Sequence, residues 1–181
     1  VGATEWDVYA QNTATYLGAH TQLTCTGGST ACTELFFSEY LEGSSNNKAL
    51  EIYNPSNAAV NLTGYTVHMY GNGSLVSTAS FPLYGTLASG ETFVIAANTA
   101  AANILAMADT ALAFPSPVHF NGDDALLLIN GTDTIDGIGI RGIDPGTNWV
   151  VGSGATSEYT LVRKDSVTGG TKDWAIGATQ W

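Results

Sequence analysis

The sequence predicts an all-β fold, a sandwich of short strands. Three observations carry this: short apolar runs recur along the chain, clusters of Gly, Ser, Thr and Asn punctuate them, and several runs alternate with the period of a strand. Only one stretch, the Ala-rich TAAANILAMA of residues 99–108, has helical character, with Ile104, Leu105 and Met107 available to one face.

In chain order, three regions are expected: a strand-bearing terminal segment at 1–22, a disulfide loop at 23–33 and a sandwich at 34–181. Residues 1–22 carry Trp6, Val8, Tyr9, Tyr16 and Leu17, too apolar for a free tail, so this segment is expected to pack on something. Cys25 and Cys32 bracket TGGSTA, whose small residues let the chain turn back so that the sulfurs can meet, and a disulfide in an oxidising compartment is the preferred reading. A zinc site would need further ligands, and His20 is the only imidazole nearby.

Residues 34–54, ELFFSEYLEGSSNNKALEIYN, read as a hairpin around which the rest is organised. Strict alternation puts Leu35, Phe37 and Leu41 on one face of the first strand, and Phe36 and Tyr40 on the other. Glu39, Glu42 and Glu51 stand among these residues, where a carboxylate needs a cation, a metal or backbone N–H groups, and Lys48 is the nearest candidate cation.

Further along, Tyr65, Val67 and Met69 alternate with Thr66 and His68, which makes His68 a solvated strand residue without a catalytic partner. Residues 75–83 are extended, 92–97 form a buried strand, and FPSPVHF is an extended crossover in which His119 is structural. Asn121 to Asp124 make a turn before the strand ALLLIN. Asp123 and Asp124 there either cap backbone N–H groups or offer hard oxygen ligands to a cation. Calcium is the cofactor such acids would take, drawing on Glu39, Glu42, Glu51, Asp136 and Asp144, although no EF-hand spacing is present and no cofactor is required. Arg141 is expected to pair with Asp144 or a hairpin carboxylate, and YTLVRK at 159–164 to form a late strand with Leu161 inward.

GATQW at 177–181 repeats GATEW at 2–6 with one change, which marks Trp181 and Trp6 as equivalent. Sixteen acidic against five basic residues give a net charge of −11, which disfavours direct nucleic-acid binding and adsorption to anionic membranes. No apolar run reaches the length of a spanning helix, so no membrane insertion is expected. The chain begins at Val1 with no signal-peptide pattern, as a processed chain or an excised fragment would. HExxH, GxSxG and P-loop motifs are absent, and no catalytic residue is assigned. Asn61, Asn72 and Asn130 match the glycosylation sequon, as chance alone would produce.

LFFSEYLEGSSNNKALEIYNPS, followed by NLTGYTV at 61–67, LASGETFVIA at 87–96 and FNGDDALLLINGTDTIDGIG at 120–139, resembles a bacterial lamin-tail domain over most of residues 34–181. The resemblance implies an immunoglobulin-like β-sandwich of secreted or cell-surface proteins. Such domains are often attached to nucleases or phosphatases and are not themselves known as catalysts. It also implies that a segment similar to ATEWDVYAQNTATYLGAHT closes the domain at its C-terminal end; here a copy stands at the N-terminus, where it folds back onto its own domain, inserts into a neighbouring molecule, or belongs to the preceding repeat of a tandem array. The expected function is a structural module that joins copies of itself, in tandem or head to tail, by strand complementation through Trp6, Val8, Tyr9, Tyr16, Leu17 and Trp181. The alternative is an accessory binding or targeting module, calcium-assisted, of a larger secreted enzyme such as a nuclease, with Tyr9, Tyr40, Tyr53, Tyr70, Tyr84 and Trp149 as an aromatic platform.

Overall fold

Alternating strands and small-residue turns give a two-sheet architecture in the computed structural model, which describes residues 34–181 together with the backbone of Tyr9–Ala10. The elements of the first half are β1 (Tyr9–Ala10), β2 (Phe36–Glu42), β3 (Lys48–Tyr53), β4 (Val60–Asn61), β5 (Tyr65–Tyr70), β6 (Ala79–Pro82), β7 (Thr86–Leu87) and β8 (Thr92–Ala97). They are followed by α1 (Ala102–Leu105), β9 (Thr110–Leu112), β10 (Ala125–Asn130), β11 (Asp133–Ile138), β12 (Val150–Val151), β13 (Gly154–Ala155), β14 (Tyr159–Val162) and α2 (Trp174–Gly177). Among these residues one sheet runs β1-β14-β2-β3-β8-β9 and the other β11-β10-β5-β6, with β12-β13 and β4-β7 as short separate ribbons. Pairing is antiparallel except between β8 and β9.

Leu50, Ile52, Ile95 and Leu161 of the first sheet face Val67, Leu126, Leu128 and Ile138 of the second across a single core. The first sheet is covered on its outer face as well, where Ala100 and Ile104 close over Leu41, Ala49, Val94 and Ala96. Burial on both faces explains why β2, β3 and β8 read as nearly continuous apolar runs.

The expected alternation in β2 is corrected at one point. Leu35, Phe37 and Tyr40 share the inner core, while Leu41 lies on the outer face. The cause is a β-bulge: Phe37 faces Ile52 and Glu39 faces Glu51, so Ser38 is an extra residue that shifts the parity of everything after it. A second bulge falls in β11, where Asp136 faces Leu128 but Thr134 faces Ile129.

The helix expected at 99–108 is confined to the four residues of α1, with Ile104 buried and Met107 exposed. α2 is an additional short helix; the Asp173 side chain accepts from the Ala175 N–H at 2.9 Å and so caps its first turn.

Gly139, after β11, has φ +75°, and a Cβ there would lie 2.6 Å from Nε1 of Trp149. The left-handed backbone and the indole both exclude a side chain. G139A is therefore expected to lower unfolding free energy by about 2–3 kcal/mol, read from urea denaturation; an unchanged midpoint would show that the loop does not press on Trp149.

Candidate functional site

The bulge at Ser38 and the strand β14 meet at a buried, charged and fully bonded polar site. Asp136 reaches across from β11 of the second sheet: Oδ2 accepts from the Phe37 N–H at 2.9 Å and from Arg163 Nη2 at 2.6 Å, and Oδ1 accepts from the Thr171 N–H at 2.9 Å. Arg163, just past β14, donates through Nε to the Phe37 carbonyl at 3.0 Å and through Nη1 to Oε1 of Gln180. Both partners of this ion pair are fully buried. Burial pulls the Arg163 pKa down and the Asp136 carboxylate opposes that, holding the guanidinium charged.

The repeated pentapeptide sits on this arginine. The Arg163 guanidinium lies 4.1 Å from the Trp181 ring centre and 5.7 Å from that of Phe36, a cation–π sandwich in a dry site. The Gln180 carbonyl accepts from the Lys164 N–H at 2.8 Å, so GATQW begins to add to the end of β14 as a strand would. Further along the same edge, Tyr9 and Ala10 of β1 face Thr160 and Tyr159. Arg163 was passed over in the sequence because it follows an apolar strand and is next to Lys164, a pattern that reads as a solvated end.

The acids proposed as metal ligands fall into separate settings. Glu42 is bound by Lys48 and also accepts the Glu158 N–H. Glu39 and Glu51 face each other across β2 and β3, with Ser38 Oγ donating to Glu51 Oε1 at 2.7 Å. Glu39 is buried, its Oε1 meets no hydrogen-bond partner, and burial together with the Glu51 carboxylate pushes its pKa up to about 8. Asp124 caps the turn as expected, accepting from the Asn121 N–H at 3.0 Å and the Asn72 N–H at 2.9 Å. Asp123 has one buried carboxylate oxygen without a partner, and burial, with Asp124 and Asp144 close by, raises its pKa. Among the described residues no three His, Cys, Asp or Glu side chains gather closely enough to hold a metal ion.

Other expectations are corrected. Arg141 pairs with neither Asp144 nor a hairpin acid; it donates to the Leu75 carbonyl at 2.8 Å and lies over the Tyr70 ring, because the loop after β11 carries it to the β5–β6 connection. His68 is half-buried rather than solvated, stacked near Tyr70, and burial followed by Arg141 lowers its pKa. His119 is structural as expected, with Nδ1 2.7 Å from Ser116 Oγ. The aromatic platform does not form on the described surface: Tyr40, Tyr53, Tyr70 and Trp149 are buried and Tyr84 is exposed. Trp6, Val8, Tyr16, Leu17, Cys25, Cys32 and the side chain of Tyr9, expected to form the assembly segment and the disulfide, lie outside the described residues.

Two packed, mostly antiparallel sheets define an immunoglobulin-like β-sandwich. The lamin tail domain family model matches residues 28–142, and the chain belongs to that family. The match covers the hairpin and both inner faces but ends before β14, Arg163 and GATQW. No curated protein matches the chain. No helix among the described residues is long and apolar enough to cross a membrane.

Glu39 supplies a pH test. The folded chain holds its proton up to about pH 8, whereas the carboxyl titrates near 4.5 when unperturbed, so its contribution is complete below about 4.5 and is lost as pH rises to about 8. E39Q should leave stability at pH 5 close to the parent's and exceed it at pH 8.5 by up to several kcal/mol, measured as paired urea midpoints. Parallel pH profiles for the two proteins would contradict a protonated Glu39.

Proposed function

We propose that this chain is a non-catalytic extracellular structural module that joins copies of itself by strand complementation through its N-terminal segment. The observation that supports this reading most directly is the pairing of Tyr9–Ala10 with β14. An outer strand of the first sheet thus comes from the far end of the chain, outside the family-matched region. A short edge strand is the kind of element that exchanges between identical chains, since the same contacts form in cis or in trans.

The buried polar groups also favour a structural role. Arg163 and Asp136 spend their hydrogen bonds on backbone and each other, Glu42 is neutralised by Lys48, and Asp124 caps a turn. The low share of charged residues, 12%, and the small-residue segment TGGSTA between Cys25 and Cys32 fit a durable protein of an oxidising, secreted or surface setting.

Deleting residues 1–21 tests the reading. The truncated chain should melt several degrees lower and lose the larger particles that the intact chain forms, seen by light scattering with and without chelator. Unchanged melting and unchanged particle size would remove the assembly reading and leave the accessory module of a larger secreted protein.

A further inference from the structure

The repeat and the strand register, taken together, identify what the β14 edge accepts. Gln180 is bonded from Lys164, and its equivalent in the first copy of the repeat is Glu5. Tyr9 stands four residues after Glu5, and the residue it faces, Thr160, stands four residues before Lys164. Tyr9–Ala10 therefore lies on β14 in the register it would have if GATEW occupied the place of GATQW. A slip of one residue would turn every side chain of the strand to the opposite face, so the agreement defines one strand path along the whole edge.

We infer, building on the assembly reading, that β14 and the Arg163 seat form one acceptor site for residues 2–10 of a second copy of this chain. In that complex the incoming segment displaces the acceptor's own Tyr9–Ala10 from β14 and GATQW from the seat, with Trp6 taking the place of Trp181 and Glu5 that of Gln180. The single difference between the repeats favours the incoming segment. Arg163 Nη1 now bonds the amide oxygen of Gln180, and a carboxylate there makes a charge-assisted bond. Lys164, whose Nζ reaches the Thr179 carbonyl at 2.6 Å, adds a second cation beside the buried Asp136–Arg163 pair. Glu34, which lines the same groove, accepts from Tyr65 at 3.0 Å. The resident Trp181 indole N–H is buried without an acceptor, so leaving the seat costs it no hydrogen bond.

One inserted alanine between Trp6 and Asp7 tests this in the full chain. It leaves Tyr9–Ala10 and the sequence after it unchanged, so the melting temperature of the monomer should stay within about 2 °C of the parent. Seat and edge can then no longer be filled together in register, and self-association should weaken at least about ten-fold. Glu5→Gln should weaken it about five-fold, and Gln180→Glu, which gives the resident segment the same charge, should weaken it similarly. A parent that assembles while all three variants assemble equally well overturns this site and spares the assembly reading. A parent that stays monomeric at millimolar concentration overturns both.

Discussion

The buried bond between Asp136 and Arg163 is the constraint on which the rest of the molecule depends. The bulge at Ser38 leaves the peptide groups of Phe37 outside the regular ladder, and buried peptide groups without partners are costly. Asp136 takes the Phe37 N–H and Arg163 takes its carbonyl, so a side chain from each sheet satisfies one residue of β2. The same two groups hold Thr171, Gln180 and Trp181, fastening the chain's last segment over the open side of the sandwich. Neither charge tolerates loss of the other, since each would be stranded in a dry site.

That arrangement connects stability to the proposed assembly. Because the closing segment is fixed by a few strong polar contacts at Arg163 and by backbone pairing along β14, any segment offering the same contacts in the same register is an equivalent partner. The tandem likeness of GATEW and GATQW supplies such a segment within the chain's own sequence. Glu39 works against stability at the neighbouring face: a carboxyl facing another carboxyl on a covered sheet is kept only in its protonated form over a wide pH range.

Much of the fold was legible because it rests on local signals. The hairpin at 36–53, the turn at Asn121 to Asp124, the strand ALLLIN and the pairing of Lys48 with a hairpin glutamate follow from alternation, turn chemistry and charge proximity. The inward turn of Tyr40 was not, because a bulge leaves no mark in Phe-Phe-Ser-Glu-Tyr that alternation can detect. The site itself was half legible. The repeat pointed to Trp181, but Asp136 stood only as a candidate calcium ligand and Arg163 only as part of a late strand, since their meeting depends on two strands separated by a crossover. Arg141 was the more conspicuous basic residue, isolated among Ile and Gly, yet its loop carries it to Leu75 and Tyr70.

The most direct measurement of this account is a double-mutant cycle on Asp136 and Arg163, with D136N, R163M and the pair compared by chemical denaturation. Each single substitution should cost about 3–5 kcal/mol, and the double should cost little more than either alone, because the second change removes a charge already stranded. Losses below about 1 kcal/mol, or losses that add in the double variant, would show that the two sheets are held together by something other than this pair.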